Sequence, residues 1–322
     1  MHNTQVIRTV GGLRAALAQP RRSSARIGLV PTMGAFHEGH ISLMRQARRD
    51  CDVVVVSLFV NPAQFDEAAD LAAYPRDEER DLELAAQAGV DFVFVPPGAE
   101  IYPDGFATTI NVSGVTETLE GTHRGPAHFN AVATVVAKLL HIVGPDVAYF
   151  GQKDAQQVLV IRRMVTDLNI PVQVEVCPTV RESDGLAASS RNVRLSGDER
   201  RRASALHRGL RRAAQLARGG ERDSATILAA SRAELDSAGI DAEYLELVDA
   251  DTLAPVARLN GRPALAVGRT STPVTRPVAW SQVGRQPIKA SPCAISSPPV
   301  RKVALPQRST TDARGISPWA CV

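Results

Sequence analysis

Through the first 180 residues, short unbroken apolar runs alternate with stretches whose apolar positions recur every three or four residues. Residues 27–31 form a short apolar run that opens into a glycine-containing loop. Residues 40–49 follow with helical spacing, Ile41, Leu43, Met44 and Ala47 being apolar among mostly polar neighbours. Residues 52–60 are β-branched and continuous, the pattern of a strand covered on both faces. A charged helix is predicted over 77–89 with Gly89 as its stop. The alternation continues with a strand over 91–95, a helix over 130–143, a strand over 147–150, a helix over 155–168 and a strand over 172–176. Such alternation predicts an α/β fold built on a parallel, doubly wound sheet. Ligands of these sheets sit beyond the carboxyl ends of the strands. The loops after Val30, Val60, Phe150 and Val176 are therefore where chemistry is to be sought.

From about Arg181 the pattern changes to two Arg- and Ala-rich helices, 197–218 and 224–238, and an alternating strand, 244–248, which together suggest a smaller α+β domain. Beyond about Ala266 periodicity stops. Residues 268–322 hold eight prolines, seven serines and both tryptophans, Trp280 and Trp319, a composition that predicts disorder. The expected organisation is a first domain over 1–181, a second over 182–267 and a Pro/Ser/Arg-rich tail over 268–322.

Composition adds bounds to this picture. A chain of 322 residues, 44% hydrophobic and 22% charged, has room for two ordinary domains. No apolar run reads as a membrane span, since the longest, near residues 53–60, is strand-like. The first ten residues carry no signal-peptide pattern. Cys51, Cys177, Cys293 and Cys321 are far apart and lack metal spacing. A reduced, cytoplasmic setting is the expectation, with neither a membrane nor a nucleic acid as partner. The net charge of +3 hides an asymmetry: eight basic residues against one acid give the tail +7, which leaves −4 for the rest. The basic balance thus belongs to the tail and is no nucleic-acid footprint of the folded body.

Four constellations could carry chemistry. The first is P-T-M-G-A-F-H-E-G-H over residues 31–40. His37 and His40 are three apart and share a face of the helix that begins there, where free N–H groups and the positive dipole end attract phosphate. A helix cap with two surface histidines is the plainer alternative for an isolated H-x-G-H. The second, F-V-N-P-A-Q-F over 59–65, places a turn directly after the buried strand and puts Gln64 at its carboxyl end, where an amide can both donate and accept. The third, Y-F-G-Q-K-D-A-Q-Q over 149–157, brings Lys153 as a compact cation for phosphate oxygens. Asp154 there suits ribose hydroxyls or, structurally, a helix cap, and Gln157 falls in the first helical turn. The fourth, G-L-A-A-S-S-R-N over 185–192, offers two hydroxyls and a guanidinium that can clamp phosphate oxygens, on a loop able to close over a nucleotide. The acidic face of Asp77, Glu78, Glu79 and Asp81 reads as solvated surface, His128 as a lone satisfied histidine, and Cys51 and Cys177 as core residues.

These four segments, in this order and with Y-P-R at 74–76 and V-R-E-S-D-G at 180–185 between them, resemble the pantoate–β-alanine ligases from about residue 6 to about residue 265. The resemblance implies a Rossmann-like parallel sheet, a smaller C-terminal α+β lid domain and a homodimer. It implies a ligase of pantothenate biosynthesis that adenylates pantoate with ATP, with Mg²⁺ as cofactor, and passes the pantoyl group to β-alanine. By motif, Met33, Gly34, Ala35, Phe36, His37, Glu38, Gly39 and His40 would bind ATP, with His37, His40 and Lys153 catalytic and His40 the proton donor. Gly151, Gln152, Lys153 and Asp154 would take ribose and phosphates, Val180 would meet adenine through its backbone, and Ala188, Ser189, Ser190 and Arg191 would cover the triphosphate. Gln64 and Gln157 would hold pantoate, with Gln64 also bordering β-alanine, and Asp81 would lie near the metal. Three features depart from the family pattern: Ala188 stands where methionine is usual, the segment Arg124 to His128 is one residue longer, and the usual ending gives way to the tail.

Two other readings compete. Another H-x-G-H adenylyltransferase would share the histidines but leave residues 59–65 and 151–157 unexplained. A non-enzymatic relative with a basic tail for acidic partners would draw on the +7 charge alone.

Overall fold

The computed structural model describes residues 4–65, 68–262, 264–270 and 278–283. Its first part is the alternation read above, with one strand and one helix added in front. The elements are β1 (Gln5–Ile7), α1 (Val10–Arg22), β2 (Ile27–Thr32), α2 (Glu38–Asp50), β3 (Val53–Leu58), α3 (Ala68–Ala72), α4 (Glu78–Gln87), β4 (Phe92–Phe94), α5 (Gly98–Ile101), α6 (Glu120–Val143), β5 (Val147–Gly151), α7 (Ala155–Asp167) and β6 (Gln173–Cys177). All six strands pair in parallel, in the order β1-β4-β3-β2-β5-β6. The sheet thus grows in one direction from β2 through β3 and β4, then returns past β2 to β5. That reversal opens a crevice beyond the carboxyl ends of β2 and β5.

Alternation along the strands explains the double cover. Leu29, Val55, Phe94 and Phe150 face α1, α6 and α7, where Leu13, Leu17, Val136, Leu140 and Ile161 meet them. Val30, Val54, Val56 and Tyr149 face α2 and α4, against Ile41, Met44 and Ala85. Burying side chains of this size contributes about 1.5–3 kcal/mol each, so both faces are strongly held. Within α6, the stretch Pro126–Val143 is long and apolar enough to cross a membrane by composition, against the expectation that no segment would pass. Two thirds of it (67%) is buried in the protein, where it serves as a core helix. Between Arg124 and His128 the helix kinks: Gly125 takes φ +74°, and Pro126, which needs no N–H partner in a first turn, restarts the helix.

The second part comprises α8 (Gly197–Arg218), α9 (Ser224–Ser237) and an antiparallel sheet in the order β7-β8-β9, with β7 at Ala242–Asp249, β8 at Ala264–Thr270 and β9 at Val278–Val283. Gly209 lets the two helices touch, since a Cβ there would sit 2.8 Å from the Ser231 carbonyl oxygen. The two sheets belong to one contact unit. Tyr244 of β7 donates to the Glu120 carboxylate of α6 at 3.1 Å. One expectation needs correction. The tail was to begin at residue 268, yet β8 continues to Thr270 and residues 278–283 form a third strand in register with it. A six-residue strand is shorter than the stretch over which a proline-rich composition averages. The rest of the proposed tail, 271–277 and 284–322, lies outside the described residues, as do Cys293, Cys321 and Trp319.

Candidate active site

The site is assembled from the loops that follow β2, β5 and β6. After Thr32 the chain turns through Gly34 (φ +87°) and Ala35 (φ +53°). The backbone N–H groups of Ala35 and Phe36 donate to the Asp81 carboxylate, each at 2.7 Å. His37 then acts as N-cap of α2: its Nδ1 accepts from the Gly39 N–H at 3.1 Å, and His40 Nδ1 accepts from the His37 N–H at 3.4 Å. A backbone N–H can only donate, so both Nδ1 atoms are unprotonated and the ring hydrogen of each neutral imidazole sits on Nε2. The rings lie 4.1 Å apart. The glycine between them is required sterically, because a Cβ at Gly39 would lie 2.7 Å from His37 Cε1. H-x-G-H is therefore a compact device that caps a helix and presents two N–H donors at its positive end.

Charge and burial keep both histidines neutral. Burial, then Lys153, lowers His37 from an ordinary 6.5 to about 4, against an opposing pull from Asp154 and Glu182. His40 is pushed well below its usual range by burial, then by His37 and Lys153. His207 on α8 is lowered to about 4 by burial, then by Arg181 and Arg211. A base whose folded pKa is depressed stabilises the fold fully above its unfolded value and loses that contribution as pH falls through the folded value. Resistance to urea is therefore expected to decline from pH 6.5 toward pH 4, with a shallower decline in His37→Gln. Equal slopes for the two proteins would refute the assignment of His37.

The second wall follows β5. Gly151 leads into a short 3₁₀ turn, Gln152–Asp154, and then α7. Lys153 Nζ donates to the Ala188 carbonyl at 3.3 Å. Asp154 stands at the start of α7 without a side-chain capping bond, so of its two readings the structural one is not realised. The third wall is a small hairpin. Ala188 N–H donates to the Val180 carbonyl at 3.0 Å, Glu182 N–H to that of Leu186 at 2.8 Å, and Asn192 ties the hairpin with bonds to Glu182 and the Ala187 carbonyl. Arg200 pairs with Glu182 and Asp184. A segment expected as a loop able to close over a nucleotide is thus cross-braced in this conformation.

His37, Gly39, His40, Gly151, Lys153, Asp154, Gln157, Val180 and Ala188 share one crevice of about 120 Å³ with Tyr149 of the third constellation, and with Pro178 and Thr179, which the sequence reading missed. A larger hollow of about 660 Å³ runs along residues 249–264, but it holds no histidine or lysine, and its Asp249 accepts from turn N–H groups. Chemistry therefore favours the smaller crevice.

Other predicted residues stand elsewhere. Phe36 is buried in the core with its ring 5.5 Å from that of His40, and it does not line the crevice. The carboxylate of Glu38 turns outward to Arg45 at 2.5 Å. Met33, Gly34, Ala35 and Gln152 do not line the crevice, nor do Ser189, Ser190 and Arg191; the Ser189 hydroxyl instead accepts from Arg191 N–H. Gln64 sits on the turn after β3, where its side-chain oxygen accepts from the buried Asn61 at 3.0 Å and its carbonyl lies 3.3 Å from His128 Nδ1. Asn61, itself bonded by Tyr102 at 3.0 Å, is a positioning residue that the Asn-Pro turn signal concealed. Asp81 departs furthest from expectation. It is not solvated, because both oxygens meet backbone amides in a buried place. Among the described residues, no group of three or more His, Cys, Asp or Glu is placed to hold a metal ion.

The sequence model of the family described as Pantoate-beta-alanine ligase matches residues 5–276. A pantothenate synthetase of Cereibacter sphaeroides is 53% identical over 266 residues, which are 82% of this chain and 95% of that protein. One of Moorella thermoacetica is 51% identical over 264 residues, covering 82% and 93%. Among solved structures, pantothenate synthetase from Thermus thermophilus superposes with a TM-score of 0.81 at 45% identity, over 88% of this chain and 100% of that one. The pantoate-beta-alanine ligase of Francisella tularensis, complexed with beta-gamma ATP and beta-alanine, gives 0.70 at 32% identity, over 87% and 97%.

Proposed function

The chain belongs to the pantoate–β-alanine ligase family, and from that premise we propose how its own residues carry out the ATP-dependent condensation of pantoate with β-alanine. The observation that carries the proposal is the convergence of His37, His40 and Lys153 in the crevice between β2 and β5. In the first step the pantoate carboxylate attacks the α-phosphorus of ATP and pyrophosphate leaves. A carboxylate is ionised at neutral pH, so this step needs alignment and neutralisation rather than a base. The two Nε2–H donors, Lys153 and the N-terminus of α2 supply neutralisation where negative charge grows. Asp154 takes the ribose hydroxyls, and Ser189, Ser190 and Arg191 reach the triphosphate when the hairpin shifts to admit it. Gln157 and Gln64 hold pantoate. In the second step the amine of β-alanine, its ammonium having lost a proton to solvent, attacks the acyl carbon of pantoyl adenylate; AMP leaves and the new amide nitrogen sheds a second proton to solvent. With Nδ1 accepting from the backbone and Nε2 protonated, His37 and His40 act as donors in this sequence and not as the base for that amine.

The described residues do not form a cage for Mg²⁺; an ion brought with ATP would be held by phosphate oxygens, as is common for this cation. We also propose a cytoplasmic homodimer, for which sedimentation at the mass of one chain would be the refuting result.

The test is product formation. AMP release is expected to require ATP, pantoate and β-alanine together. Gln157→Ala is expected to raise the KM for pantoate about tenfold, the loss of one good hydrogen bond, and to leave that for ATP nearly unchanged. Formation of ADP, or turnover independent of β-alanine, would move the chain to a different reaction.

A further inference from the structure

Asp81 is a carboxylate in a place that burial normally forbids. Only 2% of it is exposed, yet it lies on α4 among exposed neighbours and reaches across 46 positions of sequence to the turn after β2. Both of its oxygens are engaged there, by the N–H groups of Ala35 and Phe36 at 2.7 Å. Gly34 and Ala35 have positive φ in succession, and such a turn gathers its amides into a concavity that suits an anion. Ala35 carries a Cβ and enters this region only if its surroundings hold it there. The turn ends on Phe36, packed against the His40 ring, and on His37, which caps α2. One carboxylate thus secures the segment that delivers both ring donors. A cation placed beside those two oxygens would also meet the positive ends of two N–H dipoles.

We infer that Asp81 is a positioning residue: seated in the amide nest of residues 34–36, its carboxylate holds the strand-to-helix turn in the geometry that aims His37 and His40 at the phosphates, and it is not a ligand of the ion that travels with ATP. This inference rests on the ligase reading for its kinetics but has a readout independent of it.

Two variants disturb the same contact from opposite sides. Asp81→Asn removes the charge and one acceptor. Gly34→Ala keeps the carboxylate but sets a Cβ 3.0 Å from its Oδ2, at φ +87°. Each is expected to lower kcat about 10- to 100-fold through misplaced donors, with KM for ATP and pantoate changed less than about threefold. The Mg²⁺ concentration for half-maximal rate is expected to stay put, and the double variant to be no worse than the poorer single one, because both remove one interaction. In the full-length chain without substrates, ¹⁵N spectra of the histidine rings are expected to show both in the Nε2–H form, and to lose that uniformity in either variant. Unchanged kcat with unchanged ring spectra would overturn the inference. So would a Mg²⁺ requirement raised about tenfold in Asp81→Asn alone, the signature of a lost ligand. Should Asp81→Asn fail to fold, Gly34→Ala carries the same test. If the unaltered chain released no AMP from the three substrates, the ligase reading would fall, and the ring spectra would still decide the role of Asp81.

Discussion

Replacing Lys153 with alanine is expected to lower kcat/KM for ATP by about 10²- to 10³-fold, the loss typical of removing one preorganised group from developing charge. Its ammonium emerges from the turn between β5 and α7 and points across the crevice to the Ala188 carbonyl at 3.3 Å. That carbonyl is a weak partner, so the charge is available to a phosphate that displaces it. The same charge helps depress both histidines, so its loss also lets them take up protons more readily. Most of the effect should fall on kcat, since the interaction strengthens as pyrophosphate departs. Lys153→Arg should restore little, because a planar fork does not occupy the place of a compact ammonium. Stability should barely move. Rapid-quench measurement of pyrophosphate release separates the adenylation step from the later transfer to β-alanine. A loss smaller than about tenfold would mean that charge on the leaving group is neutralised by other residues.

His40→Ala should also be severe, about 10²-fold in kcat, but for a reason that touches the fold as well. The substitution deletes one Nε2–H donor, and it leaves the His37 N–H at the start of α2 without its acceptor. Lost capping bonds cost about 0.5–2 kcal/mol; at 3.4 Å this one is long, which puts the expected loss at the low end. Chemical denaturation should register that small drop in His40→Ala and none in Lys153→Ala. Two variants equal in stability would mean that the His40 ring serves the ligand only.

Much of this organisation was legible before any coordinates. The run V-V-V-V-S-L of β3 can be little else than a strand covered on both faces, and His37-x-Gly39-His40 directly after an apolar run marks a helix start. Of the four loops singled out, those after Val30, Phe150 and Val176 line the crevice, and the one after Val60 does not. What stayed hidden depends on contacts between distant residues. β1 is three residues long, and α1 carries Gly11, Gly12 and Pro20, so neither has a clean period to read. Within residues 33–40, adjacency to the motif did not tell that Phe36 points inward to the core or that Glu38 points outward to Arg45. Asp81 on an acidic helix face looks solvated until the amides of Ala35 and Phe36 are brought to it. β9, in turn, was lost in its proline-rich neighbourhood.

The cap of α2 has a consequence for redesign. Histidine is not among the residues that cap helices best; serine, aspartate and asparagine are. A survey of this fold for thermostabilising changes would therefore single out position 37, and by its own criterion it would be right. Under the proposed mechanism the gain would remove a ring donor, because the atom holding the helix closed and the atom proposed to face the phosphates belong to the same imidazole. At this helix start, robustness and turnover cannot be improved independently.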